Sequence, residues 1–137
     1  METNCLLRHN IINNRIAMNP EKVGEDAIKL WEQMASEIIS IVGESGFNSL
    51  YARSIFLTQS TFPWLMANLK TDHRFEKLKI NFEGQTLTHA IEANSLLLIT
   101  FTDILASLIG EQLTTTILRS AWGNNASGKT SEEFKNE

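Results

Sequence analysis

The stretch LLLITFTDILASLIG, residues 96–110, decides the fold. From Leu96 to Ile109 nearly every face of a helix drawn through it is apolar. A helix that is apolar all round must be covered all round, so this one is either the central helix of a bundle or meets a second copy of the chain. It is too short to span a bilayer, and Thr100, Thr102, Asp103 and Ser107 interrupt it. The reading is a buried helix in a protein without a membrane span.

The helical pattern extends on both sides, from about Thr86 to Trp122. One straight helix of that length would reach about 55 Å at a rise of ~1.5 Å per residue, long for a domain of this size. A break is therefore expected near Gly110 or at Thr114-Thr115-Thr116, where β-branched residues weaken helix propensity.

A second long helix is predicted to open at Asn19-Pro20, with Asn as cap and Pro at the first helical position. Ala27, Trp31, Met34, Ile38 and Ile41 follow a 4-3-4-3 spacing, and Glu25, Lys29, Glu32, Ser36 and Ser40 take the opposite side. Gly43 and Gly46 bracket its stop, with Glu44-Ser45 as the turn. A helix from about Phe47 to Ser60 comes next and ends at Phe62-Pro63. Two short helices are expected beyond it, one through Trp64, Leu65, Met66 and Leu69, the other capped by Asp72 and carrying Phe75, Leu78 and Phe82. The fold class is thus all-α, a bundle of four to six helices over residues 19–122.

The ends read differently. Residues 1–18 show no sustained periodicity and hold three Asn between positions 10 and 14, which predicts a flexible arm. Met18 is a second possible start of translation. Residues 123–137 are rich in Asn, Ser, Gly, Lys and Glu, a composition that predicts a disordered tail.

Composition limits the function classes. Hydrophobic residues make up 42% and charged residues 20% of 137, which is a globular balance. The net charge of −4 argues against a surface devoted to nucleic acid or anionic lipid. Cys5 is the single cysteine, so there is no internal disulfide and no Cys-rich zinc site. The N-terminus lacks the continuous apolar core of a signal peptide, and the cytoplasm is the simplest compartment.

The sharpest motif match is Gly123 to Thr130, which fits the phosphate-loop pattern G-x-x-x-x-G-K-[ST]. That chemistry needs a buried strand before the loop and a helix after it. Here a helix precedes the loop and seven residues follow it, so the match reads as chance. His9, His73 and His89 form no metal-ligand spacing. Asp103 inside the apolar run requires a partner or water, and Arg53 or Arg119 is the partner expected. Lys70, Arg74, Lys77 and Lys79 read as a solvated face. No nucleophile elbow and no paired carboxylate-histidine motif is present.

Two readings of function lead, neither of them catalytic; an enzyme is a third, with no paired metal-ligand motif to support it. The first is an interaction or signalling module that forms a homodimer through Leu97, Phe101, Ile104 and Leu108, or through the side of the same helix that carries Leu96, Ile99, Asp103 and Ala106. The alternative is a helical sensor holding haem or another apolar ligand, with His89, Asp103 and Tyr51 as binding residues. No cofactor or metal is required by the first reading.

Overall fold

The computed structural model describes residues 2–16, 23–66 and 75–122. Five helices lie among them: α1 (Glu2–Ile16), α2 (Val23–Thr58), α3 (Glu76–Glu83), α4 (Leu87–Ile109) and α5 (Glu111–Trp122). The architecture is an all-α bundle, with α2 packed against α3, α4 and α5, and with α1 laid across α4 and α5.

The 4-3-4-3 stripe of α2 is buried over its first four positions, Ala27, Trp31, Met34 and Ile38, with Ala35 beside them, and the polar positions opposite face solvent; the fifth, Ile41, is 49% exposed, two residues before the bend at Gly43. Glu25 and Asp26 sit in the first turn, where negative charge favours the helix dipole. At Gly43 the backbone leaves the helix (φ 85°, ψ 166°), a region that only glycine enters without strain. The helix resumes at once. The stop expected over Gly43–Gly46 is therefore a one-residue bend, and Glu44-Ser45 belongs to the second arm, whose Phe47, Leu50, Tyr51 and Ile55 are buried.

The same device divides the C-terminal region. α4 begins at the cap Thr86, whose side chain accepts a hydrogen bond from the His89 N–H (3.2 Å). It ends at Gly110 (φ 101°, ψ 151°), and α5 starts at the next residue. The break falls at Gly110 and not at the threonines; Thr114 and Thr115 are buried within α5, and the Thr114 hydroxyl donates back to the Gly110 carbonyl (2.8 Å). Free of the axis of α4, α5 folds against α2, and Trp122 Nε1 donates to the Leu30 carbonyl (2.9 Å).

Two expectations are corrected. Residues 2–16 form a helix and not a loose arm, because α1 has a groove to lie in. Residues 61–66 form turns and irregular backbone, not helix, with Gln59 Nε2 donating to the Leu65 carbonyl (2.6 Å). The expected helix opening at Asn19-Pro20, Leu69 of the first short helix, the expected cap Asp72, His73, the basic residues Lys70 and Arg74, and the phosphate-loop match at 123–130 lie outside the described residues.

One core unites these elements. Trp31, Phe47, Tyr51, Phe75 and Phe101 form a connected set of rings with centroids 5.3–6.2 Å apart, in edge-on, tilted and stacked pairings. Trp31 Nε1 donates to Asn94 Oδ1 (3.0 Å), so the polar atoms of both buried side chains meet.

Candidate functional site

The polar residues of the described chain converge at the corner where α4 turns into α5. Arg8 of α1 is 2% exposed, an uncommon place for a guanidinium. Its Nε and Nη2 both donate to the Glu111 carboxylate, the latter to Oε1 at 3.2 Å. Nη2 also reaches Asp103 Oδ1 (2.7 Å), and Nη1 donates to Thr102 Oγ1 (2.8 Å). The Thr102 hydroxyl passes its own proton to the Leu98 carbonyl (2.8 Å). Beside this set, His9 Nε2 lies 3.2 Å from Asp103 Oδ1, and Ser95 Oγ donates to Asn13 Oδ1 (2.7 Å).

The local reasons are readable from each helix. Arg8 and Ile12 are one turn apart, so both side chains leave α1 on one face. Thr102 and Asp103 lie near the end of α4, and Glu111 is the first residue of α5. Gly110 brings the two acids to one guanidinium. Burial works against the charge of Arg8. The hydrogen bonds to Glu111 and Asp103, together with their negative charges, outweigh that and hold its pKa above the ordinary arginine value. The site is a fixed cation neutralised by two acids. It presents no activated nucleophile, and it ties three helices together.

The binding residues expected for a ligand do not assemble. His89 is exposed in the first turn of α4, and Asp103 lies fourteen residues farther along, about 21 Å at a rise of ~1.5 Å per residue. Tyr51 is buried among Trp31, Phe47 and Phe75. Asp103 does have a partner, but it is Arg8 and not Arg53 or Arg119, both of which are exposed. Among the described residues no three His, Cys, Asp or Glu side chains gather as a metal-ligand set.

The expected contact face divides. Leu97 and Phe101 are wholly buried within the protomer, Ile104 is half-buried, and Leu108 is 66% exposed. On the other side considered, Leu96, Ile99 and Ala106 are half-buried and Asp103 is exposed. The length argument against a membrane span does not hold: the helix containing residues 96–109 runs over 23 residues, and by length and composition α4 is apolar enough to cross a membrane, with 39% of its most apolar window buried in the protomer. Arg8 and Glu111 were not singled out by sequence. The one signal pointing their way was Asp103, whose need of a partner was clear while the partner was not.

Comparison with known protein families, with characterised proteins and with solved structures finds no match to this chain.

Proposed function

We propose that this chain is a non-catalytic helical interaction module of regulatory type that pairs with a second copy of itself along the outer ridge of α4. One observation carries this reading: the most apolar helix of the fold has only 39% of its most apolar window buried. Leu96, Thr100, Ile104 and Leu108 recur every four residues, and none of the four is buried. Such a row is the ridge with which helices interdigitate. A second copy offers the same row, and twofold pairing is the commonest form of self-association. Leu113 at the start of α5 is exposed as well and would widen the contact. The cytoplasm is proposed as the compartment, on the strength of the single cysteine.

Light scattering on the full chain at tens of micromolar tests the pairing. A dimer is expected, and Leu108→Glu should convert it to a monomer with an unchanged helical circular dichroism spectrum, because Leu108 supports little within the protomer. A wild-type monomer at those concentrations would overturn the reading. So would a dimer indifferent to Leu108→Glu, or sedimentation of the wild type with phospholipid vesicles in place of self-association.

A further inference from the structure

We infer that α1 is a latch that opens as a unit, fastened by Arg8, and that opening uncovers an acid-edged apolar strip on α4. This concerns a different face of α4 from the ridge Leu96–Leu108 and stands whether or not the chain pairs.

The aromatic centre of the core is built without α1, which adds Ile12 and, beside it, Ile11 at the edge of the core. None of the five rings around Trp31 belongs to α1. Of its described side chains, residues 7–14, only Arg8 and Ile12 are buried, and Leu7 is exposed. Over a stretch of the same length, residues 115–122 of α5 bury Thr115, Ile117, Leu118 and Trp122. A stretch with so little buried apolar surface as residues 7–14 belongs to the part of a fold that opens first.

The fastening is concentrated at one residue. Arg8 reaches Thr102 and Asp103 of α4 and Glu111 of α5, on both sides of the Gly110 bend. A buried guanidinium is tolerable only while its acids are in place, so the docking of α1 is all-or-none rather than graded. The antiparallel course of α1 on α4 is fixed at a second point by Asn13 and Ser95. Between Ser95 and Thr102, on the same face, lie Leu98 and Ile99. With α1 lifted these two face water, edged by Asp103 and Glu111. The strip is shaped and charged for an amphipathic helix carrying Arg and an aliphatic residue four positions apart, and α1, with Arg8 and Ile12, is that helix.

Hydrogen exchange of the full chain, read by mass spectrometry as protection factors, tests the latch. In the wild type, peptides from residues 2–16 should be at least about tenfold less protected than those from 90–105. Arg8→Gln should lower protection of 2–16 by a further factor of about ten while leaving 30–40 within about threefold of wild type. Glu111→Gln, which keeps the side chain's size, should act on the same peptides in the same direction. One common protection factor across 2–16 and 90–105 in the wild type would overturn the latch. Equal loss of protection everywhere in both variants would do the same, as would a Glu111→Gln chain whose α1 exchanges like wild type.

Discussion

Trp31 and Arg8 are the two largest wholly buried side chains among the described residues, and they are held in opposite ways. Trp31 lies in the middle of the first arm of α2, surrounded by rings from three other parts of the chain, and gives its one polar hydrogen to Asn94. Its burial is favourable by area alone. Arg8 lies on a helix whose residues 7–14 bury only Ile12 besides, and its burial is tolerable only because Glu111, Asp103 and Thr102 receive it. The first arrangement holds the bundle together. The second fixes where one helix docks on a bundle that already exists. A buried polar atom therefore does not have one meaning: in the first case it is a detail of a large apolar contact, and in the second it is the contact.

The largest effect that separates the two should come from Trp31→Ala. It removes the ring against which Tyr51, Phe75 and Phe101 pack and leaves Asn94 Oδ1 without its donor. A loss of about 4 kcal/mol in unfolding free energy is expected, from the cavity and the stranded polar group together. Urea denaturation followed at two wavelengths measures it. A loss below ~1 kcal/mol would mean that the ring cluster is not the centre of stability.

Arg8→Met should cost less, about 1–2 kcal/mol, even though Arg8 is the second largest buried side chain. The reason is which partner stays behind. Removing the cation leaves two carboxylates, and these are 25% (Glu111) and 49% (Asp103) exposed. Both can turn to water, and methionine can fill the space beside Ile12. Removal of an acid would instead leave the enclosed guanidinium with one counter-charge in place of two. If Arg8→Met matched Trp31→Ala in the same denaturation experiment, the contrast between the two regions would be lost and α1 would belong to the central cooperative unit.

The difference between the regions also explains what the sequence could and could not tell. Ala27, Trp31, Met34 and Ile38 repeat at the helical period because one face of the first arm of α2 is buried from Ala27 to Ile38, and a repeated constraint leaves a repeated pattern; the pattern continues to Ile41, where the burial has already ended. The bend at Gly110 was legible for a related reason: a helical pattern from Thr86 to Trp122 outgrew the domain, and glycine marked the place to break it. α1 carries no such record. Its described part buries two side chains, one of them charged, so there is no stripe to read, and its Asn-rich composition suggests an arm. Its helix is imposed by the groove on α4 and α5. The partner of Asp103 was illegible because charge complementarity has no period; Arg8 lies 95 positions away, and nothing in the spacing prefers it to Arg53 or Arg119. For the contact face, helical spacing brought Leu97, Phe101, Ile104 and Leu108 together correctly as neighbours, but the side of α4 that meets α2 depends on the whole bundle.

The smallest effect should come from His9→Ala, which removes the neighbour of Arg8 at the same carboxylate. His9 Nε2 and Arg8 Nη2 both meet Asp103 Oδ1, at 3.2 and 2.7 Å, so by distance alone they look alike. They differ in surroundings. His9 is 26% exposed and faces the half-exposed carboxylate through water-accessible space, where an ion pair or hydrogen bond gains little over solvation. Arg8 is enclosed, so its own nitrogens have no solvent to turn to. His9→Ala is expected to change the unfolding free energy by less than ~0.5 kcal/mol and to leave the protection of residues 2–16 where it was. A larger loss, or faster exchange confined to α1, would show that the exposed edge of the cluster shares the fastening, and the assignment of that role to the enclosed guanidinium would fail.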